Sequence, residues 1–443
     1  MKKKLSPYII LILGFVTTIL VGTGFLLLPF STKAGINLSF IDALFTSTSA
    51  VCVTGLVSVP SVAEVYTVFG KIIIALLIEV GGLGFITIAI FIFTLLGLKI
   101  GMADRYMIKE SLNQNSLKGM VRLVRITIFI ALVVQLVGAI VNFIVFIQDY
   151  PFWEAIGLSM FHAISSFNNA GFDLLGSNSL IAYRDNVLLN INTMALVILG
   201  GIGFIVIYDV LRHKTWRNLS IHSKIVLKTS FSLIIFGMLM LKLLEGSNIT
   251  WLEALFNSVS ARTAGFSTVD FNTFTNASLL IMMILMYIGA SPASAGGGIK
   301  TTTFYTIFKY IFSFARNKQP ITYNRHIADR SISKAFILVV FSLAYIVIAV
   351  FAINAIESSR GLAINEQHYF FTQVTFEVFS AFGTVGNSMG ITVELSGLSK
   401  ALLCLTMFFG RLGPITIITA FSRNMNIDNI HGIKYIDEKI IIG

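Results

Sequence analysis

Long apolar runs alternate with short polar or basic stretches along the whole chain. The runs cover residues 9–30, 72–98, 126–147, 187–211, 225–244, 278–308, 335–356 and 398–421. A helix needs roughly 20 apolar residues to cross the hydrocarbon core of a bilayer, and each run is long enough. They fall into four pairs, and a shorter apolar segment of about 10–15 residues lies between the members of each pair. That length is too short to cross and suits a re-entrant helix. The pattern predicts an all-α membrane protein of four tandem span–pore helix–span repeats, with eight transmembrane helices and four re-entrant pore helices.

Composition narrows the class. Of 443 residues, 56% are hydrophobic and 12% charged, against about 25% charged in a soluble domain. A soluble enzyme with one membrane tail is excluded. Cys52 and Cys404 are the only cysteines, so there is no disulfide scaffold. The chain has no His-Glu-x-x-His, no Walker glycine loop and no Cys/His cluster of metal-site spacing, so neither an enzyme nor a covalently bound cofactor is expected.

The net charge of +11 comes from 32 Lys+Arg against 21 Asp+Glu. The basic residues gather in five bands, 1–7, 98–125, 212–228, 309–334 and 422–443. The positive-inside rule places all five on the cytoplasmic face, which puts both termini inside a multi-pass cell-membrane protein. Orientation accounts for the charge, and nucleic acid is not needed. Lys2–Lys4 before an apolar run also fits a signal peptide. The run 9–30 is longer than a usual signal core, and Ser31-Thr32-Lys33 is not a small-residue cleavage site, which favours an anchor.

The short segments are copies of one another. Asp42–Gly55, Glu154–Gly171 and Glu253–Gly265 open on an acid followed by Ala, where a helix N-terminus favours negative charge; Phe376–Gly386 is the fourth copy. All end in a small or β-branched residue and Gly, and Ser or Ala (Ala50, Ser166, Ser260, Ala381) stands five residues before that Gly. The following runs repeat as well: Gly81-Gly82-Leu83-Gly84-Phe85, Gly200-Gly201-Ile202-Gly203-Phe204, and the variant Gly410-Arg411-Leu412-Gly413-Pro414. Close helix packing would explain one such motif. Recurrence at a fixed place argues for quasi-equivalent units about one axis, a pseudo-fourfold pore. The expected boundaries are 1–97, 98–211, 212–308 and 309–421, with a cytoplasmic tail at 422–443.

A span, a half-crossing helix, a returning segment and a second span form the pore unit of a cation channel. A dehydrated K+ ion needs oxygen ligands at a constriction, and rings of backbone carbonyls supply them. Glycine admits the backbone conformation that turns such carbonyls inward. Thr384-Val385-Gly386 looks like the signature of potassium-channel filters, and residues 8–421 resemble the Trk/Ktr/HKT superfamily of potassium transporters, most closely the bacterial Ktr-type membrane subunit. The resemblance implies potassium uptake through a selectivity filter built from Val53, Thr54 and Gly55; Asn169, Ala170 and Gly171; Thr263, Ala264 and Gly265; and Thr384, Val385 and Gly386. K+ would sit at the carbonyls of the four glycines. Glycine rather than serine at position 55 implies K+ as the ion, and a single glycine per loop implies fewer coordination layers than a channel filter. The resemblance further implies a homodimer and a separate cytoplasmic ring of nucleotide-binding subunits, and leaves Na+ open as an activator.

The third repeat breaks after Ile288 into Gly289-Ala290-Ser291-Pro292-Ala293-Ser294-Ala295-Gly296-Gly297-Gly298. Four glycines and a proline in ten residues do not continue a helix. A structural kink would explain them; so would an intramembrane loop crossing the pore as a gate, which the resemblance also implies. Arg411 lies in the middle of the last run, where a charge costs about 2.5–3.5 kcal/mol by insertion scales. It pairs with Glu79, projects below the filter as a barrier to cations, or does both. Lys300 is expected to face the cytoplasm, Arg262 and Glu377 to link structure beside the filter, and His162 to pack within its pore helix. Asp209 is expected at the inner end of a span, and Asn168 and Asn169 to brace the second filter loop or face its vestibule. The competing class is an alternating-access symporter of K+ with Na+ or H+. Such carriers use inverted repeats and broken helices, whereas these repeats run one way and only one helix reads as broken.

Overall fold

The computed structural model describes residues 7–96, 101, 120–176, 179–360 and 370–413. Lys2–Lys4, most of the 98–125 band and the tail 422–443 lie outside the described residues. The first segment holds α1 (Pro7–Leu26), α2 (Phe40–Cys52), the single turn α3 (Val62–Val65), α4 (Val68–Leu83) and α5 (Phe85–Leu95). The second holds α6 (Met120–Phe146), α7 (Phe152–Phe167), α8 (Val187–Ile202) and α9 (Phe204–His213). The third holds α10 (Ile221–Glu245), α11 (Trp251–Ser260), α12 (Asn276–Tyr287) and α13 (Thr301–Ala315); the fourth holds α14 (Asp329–Ser359), α15 (Phe370–Gly383) and α16 (Gly397–Leu412). One small element departs from the all-α expectation. Strands β1 (Ile321–Thr322) and β2 (Arg325–His326) pair antiparallel across Tyr323 and Asn324, whose φ of 46° and 60° make the left-handed turn that suits a two-residue hairpin.

The segments share their caps. Thr67, Asn186, Thr275 and Ser396 precede α4, α8, α12 and α16, and each side chain accepts the N–H of the third helical residue. This satisfies a donor that the helix itself cannot. In the last two segments the first helix reaches the same cap. The Glu245 carboxylate accepts from Thr275 N at 2.9 Å, and Glu357 from Ser396 N at 2.9 Å. Neighbouring segments then pack in a closed cycle: α4 on α7, α8 on α11, α12 on α15, and α16 back on α2. The short helices α2, α7, α11 and α15 form the inner layer, and the long ones carry the outward apolar surface. Phe129, Leu243 and Phe351 are exposed, while Thr46, Ser47, Thr48 and Ser49 of α2 are buried. Small hydroxyls tolerate the interior because a helix carbonyl is within reach, as where Ser47 Oγ donates to Ile19 O at 2.7 Å.

Among the described residues, α1, α6, α10 and α14 are long and apolar enough to cross a membrane, and counting each of the bent pairs α4/α5 and α8/α9 as one span would bring the number to six. Those two pairs contradict the expectation that only one helix is broken: they bend by 95° and 97°. The cause is local. Gly84 and Gly203 have φ of 86° and 99°, where an L side chain is strained, and each ends one helix as it starts the next. The other two expected spans are shorter as helices. α12 has 12 residues, and α16 runs to Leu412, one residue before the described chain stops.

Candidate functional site

The four short helices aim their C-termini at a common place, and the four expected loops meet there. A Cβ added at Gly55 would lie 2.9 Å from the Cα of Gly171; one at Gly171 would lie 3.0 Å from that of Gly265. The same construction puts Gly265 3.0 Å from Gly386, and Gly386 3.0 Å from Gly55. The ring closes, and no side chain fits inside it. Each glycine is left-handed, with φ of 96°, 68°, 80° and 99° in chain order. The residue two positions earlier is left-handed too, although none is glycine: Val53 at 59°, Asn169 at 59°, Thr263 at 80° and Thr384 at 50°. Side chains favour that region little, and four equivalent departures share one register. The intervening side chains, Thr54, Ala170, Ala264 and Val385, are buried in the protein. Three of the loops are tied alike, with Thr54, Ala170 and Val385 donating to the carbonyl five residues back at 2.8, 2.8 and 2.9 Å. In the third loop Ala264 instead reaches Ser260, four residues back.

The repeated double glycines explain how the helices come so close. A Cβ at Gly81, Gly200 or Gly410 would strike the carbonyl of Val51, Phe167 or Phe382, in each case the residue four before a ring glycine. Close packing is therefore the first glycine's role, and the third glycine, Gly84 or Gly203, makes the bend.

Residues 289–298 form a loop pressed against one side of the ring. Gly297 N donates to Thr384 Oγ1 at 2.8 Å, and Gly296 leaves no room for a Cβ beside Thr263. The loop also takes partners from other segments. Ser291 N reaches Gly201 O at 3.0 Å, Ala295 N reaches Gly200 O at 3.2 Å, and Gly298 N reaches Gly410 O at 3.2 Å. Phe204 N, just past the bend, donates to Ala293 O at 3.0 Å.

Arg411 does not pair with Glu79. Its guanidinium donates to Ala295 O in the loop and to Gly81 O, with a further contact to Gly82 O at 3.3 Å. The end of α4 presents carbonyls that the bend has stripped of helical donors, and these solvate the cation. Lys300 also departs from expectation: rather than facing away, its Nζ turns back to Gly296 O at 2.6 Å. Arg262 and Glu377 link main chain rather than charges. Arg262 donates to Ser230 O at 3.1 Å and Gly289 O at 3.3 Å, and Glu377 accepts from Met389 N at 3.2 Å. His162 packs against Phe266 with centroids 4.8 Å apart, its Nε2 2.9 Å from Thr193 Oγ1. Asp209, near the end of α9, accepts from Ser220 N at 2.9 Å. Asn169 and Thr263, on adjacent loops, hydrogen-bond through their side chains at 3.0 Å.

On the side of the ring opposite the loop lies a cavity of about 480 Å³ lined by Gly171, Gly265 and Gly386 together with Asp173, Asp270 and Asn387. Burial pushes the Asp173 carboxyl up to about 6, although Leu175 N donates to it at 3.1 Å. Sequence reasoning did not single out Asp173 or Asp270, nor Lys400, whose Nζ meets Asp42 at 2.9 Å and ties α16 to the start of α2. An acid in a short polar loop gives no signal of which cavity it borders, and a lysine in the first turn of a helix gives none of which acid it meets.

A helical membrane protein whose inner layer converges on a ring of glycine turns is the class this geometry defines. The family model of the TrkH cation transport proteins matches residues 7–433, and the chain belongs to that family. It is 37% identical to Ktr system potassium uptake protein B of Bacillus subtilis, over 99% of this chain and 97% of the relative. It is 36% identical to the potassium/sodium uptake protein NtpJ of Enterococcus hirae, over 100% of this chain and 98% of the relative. The fold is that of the potassium transporter TrkH from Vibrio parahaemolyticus, with a TM-score of 0.71 at 18% identity, covering 95% of this chain and 86% of that one.

Proposed function

We propose that the chain carries K+ into the cell through the ring of four loops, with Val53–Gly55, Asn169–Gly171, Thr263–Gly265 and Thr384–Gly386 as the selectivity filter. The observation that carries this reading is the closed ring of glycines with a left-handed residue two places before each. Electrostatics supports it. A helix C-terminus bears about half a negative charge, and four of them point at the ring, so a cation there is stabilised without a carboxylate to trap it. On this reading α12 with α13, and α16, complete eight spans around a pseudo-fourfold pore, with both termini in the cytoplasm. Loop 289–298 and Arg411 gate it from below. The potassium uptake named for the Bacillus relative supports K+ as cargo, and the name of the Enterococcus relative keeps Na+ in view. The homodimer and the cytoplasmic nucleotide-binding ring belong to the same proposal.

The bent pairs α4/α5 and α8/α9 favour a second reading, since alternating-access symporters place their sites at broken helices. Purified protein in liposomes separates the two. A pore takes up K+ on a K+ gradient alone, whereas a symporter needs Na+ or H+ to move with it. In the same assay Gly55→Ser should lower the K+/Na+ uptake ratio, because a Cβ at that position enters the ring. An unchanged ratio would remove the filter assignment.

A further inference from the structure

Glu79 lies on α4, inside the protein, and its hydrogen-bond partners among the described residues are two neutral amides. Oε2 accepts from Asn168 Nδ2 at 2.6 Å and from Gln135 Nε2 at 2.9 Å, and Oε1 lies 3.3 Å from the same Gln135 nitrogen. A carboxylate at membrane depth is costly, and this one has no bonded cation to offset it. Asn168 is where the bond leads. It caps α7, is fully buried, and immediately precedes the filter loop Asn169-Ala170-Gly171. Gly82 makes space for it, since a Cβ there would strike Asn168 Oδ1.

Two of the other loops have a tie that the second lacks; the third has Val259 at the equivalent place, with no hydroxyl to offer. The first and fourth are braced from within: Gly55 N donates to Ser49 Oγ at 3.0 Å, and Gly386 N to Ser380 Oγ at 3.0 Å. The equivalent residue of the second loop is Ser165, six before Gly171, and its buried hydroxyl has no hydrogen-bond partner. The inner brace is missing there. In its place stands an outer one, running from α6 through Gln135 and Glu79 to Asn168. A bond to an ionised acceptor is shorter and roughly twice as strong as a neutral one, which suits a single anchor replacing an internal tie.

We infer that Glu79 is a positioning residue that fixes the second filter loop through Asn168 and so sets the preference for K+ over Na+; the inference rests on the filter reading. The test compares K+/Na+ uptake ratios in liposomes for the wild type, Glu79→Gln, Glu79→Ala, Asn168→Ala and the Glu79→Ala/Asn168→Ala double variant, with Gly55→Ser as reference. Glu79→Ala should lower the ratio by about tenfold, the scale of one lost bond. Glu79→Gln keeps one acceptor and should lower it about threefold. The double variant should be no worse than Glu79→Ala, because both act on one contact. An unchanged ratio in Glu79→Ala overturns the inference, including when its melting temperature falls, as does an additive double variant. Should Glu79→Ala not fold, an unchanged ratio in Glu79→Gln has the same force. If Gly55→Ser shifts the ratio and the Glu79 variants do not, the brace is wrong and the filter stands; if none shifts it, the filter reading itself fails.

Discussion

Replacing Arg411 by Gln removes a full charge together with its bonds to Ala295 O, Gly81 O and Gly82 O. A hydrogen bond from a charged donor contributes about 1.5–3 kcal/mol. Losing the one to Ala295 alone should favour displacement of the loop by tenfold or more. The charge also acts on the ion. Two unit charges about 5 Å apart at an effective dielectric of about 20 repel by roughly 3 kcal/mol. The two effects have one sign, so the maximal uptake rate should rise, by up to about a hundredfold where no other step limits it. Stability should change little. Glu79 has its own amide partners, so no carboxylate is stranded. The assay is K+ influx into liposomes beside a thermal unfolding curve of the same preparation. An unchanged or lower rate refutes the barrier, whatever the melting temperature.

Deleting residues 290–297 should raise K+ flux and make it less dependent on any cytoplasmic partner; a folded deletion that conducts no better than wild type would count against the gate. Gly410→Ala should cost about 1–3 kcal/mol, because the new Cβ meets the backbone of Phe382 rather than a yielding side chain. Gly157→Ala on α7, with nothing within 4 Å, should be neutral or slightly stabilising, and thermal unfolding of the pair checks both. With the Asp173 carboxyl raised to about 6, the cavity it lines loses that negative charge as pH falls through 6. The external K+ concentration giving half-maximal uptake should therefore rise on acidification from pH 7 to 5, and Asp173→Asn should show the higher value at both pH values with the dependence flattened.

Much of the arrangement was legible because it is written four times. A repeat turns a weak signal, such as one Thr-Gly or one Gly-Gly, into a register, and the register brought the four glycines into correspondence before any packing was known. The ten-residue break in the third segment was legible because glycine and proline oppose a helix locally. The bends at Gly84 and Gly203 were not, since one glycine of a glycine-rich motif in an apolar run reads equally well as a packing contact. Gly81 and Gly200 show that this reading holds three residues earlier in the same motifs. The partners of Arg411 were missed for another reason. A search for opposite charge finds Glu79, whereas the bend in α4 creates carbonyl acceptors that no residue type announces. Lys300 likewise reaches a main-chain acceptor, Gly296 O, that loop 289–298 provides and no residue type announces.

Loop 289–298 is fastened almost wholly through its main chain. Ser291, Ala295, Gly297 and Gly298 use their N–H groups, and Ala293, Ala295 and Gly296 their carbonyls. Every residue type except proline carries both groups, so outside Gly289, Gly296 and Gly297, which leave no room for a Cβ, exchanging one small side chain for another leaves the fastenings in place. Its length is a different matter. One inserted residue displaces the chain by up to about 3.3–3.6 Å, more than the whole reach of a hydrogen bond, and the contacts on at least one side of the insertion would be lost together. The loop is thus tolerant of spelling and intolerant of counting.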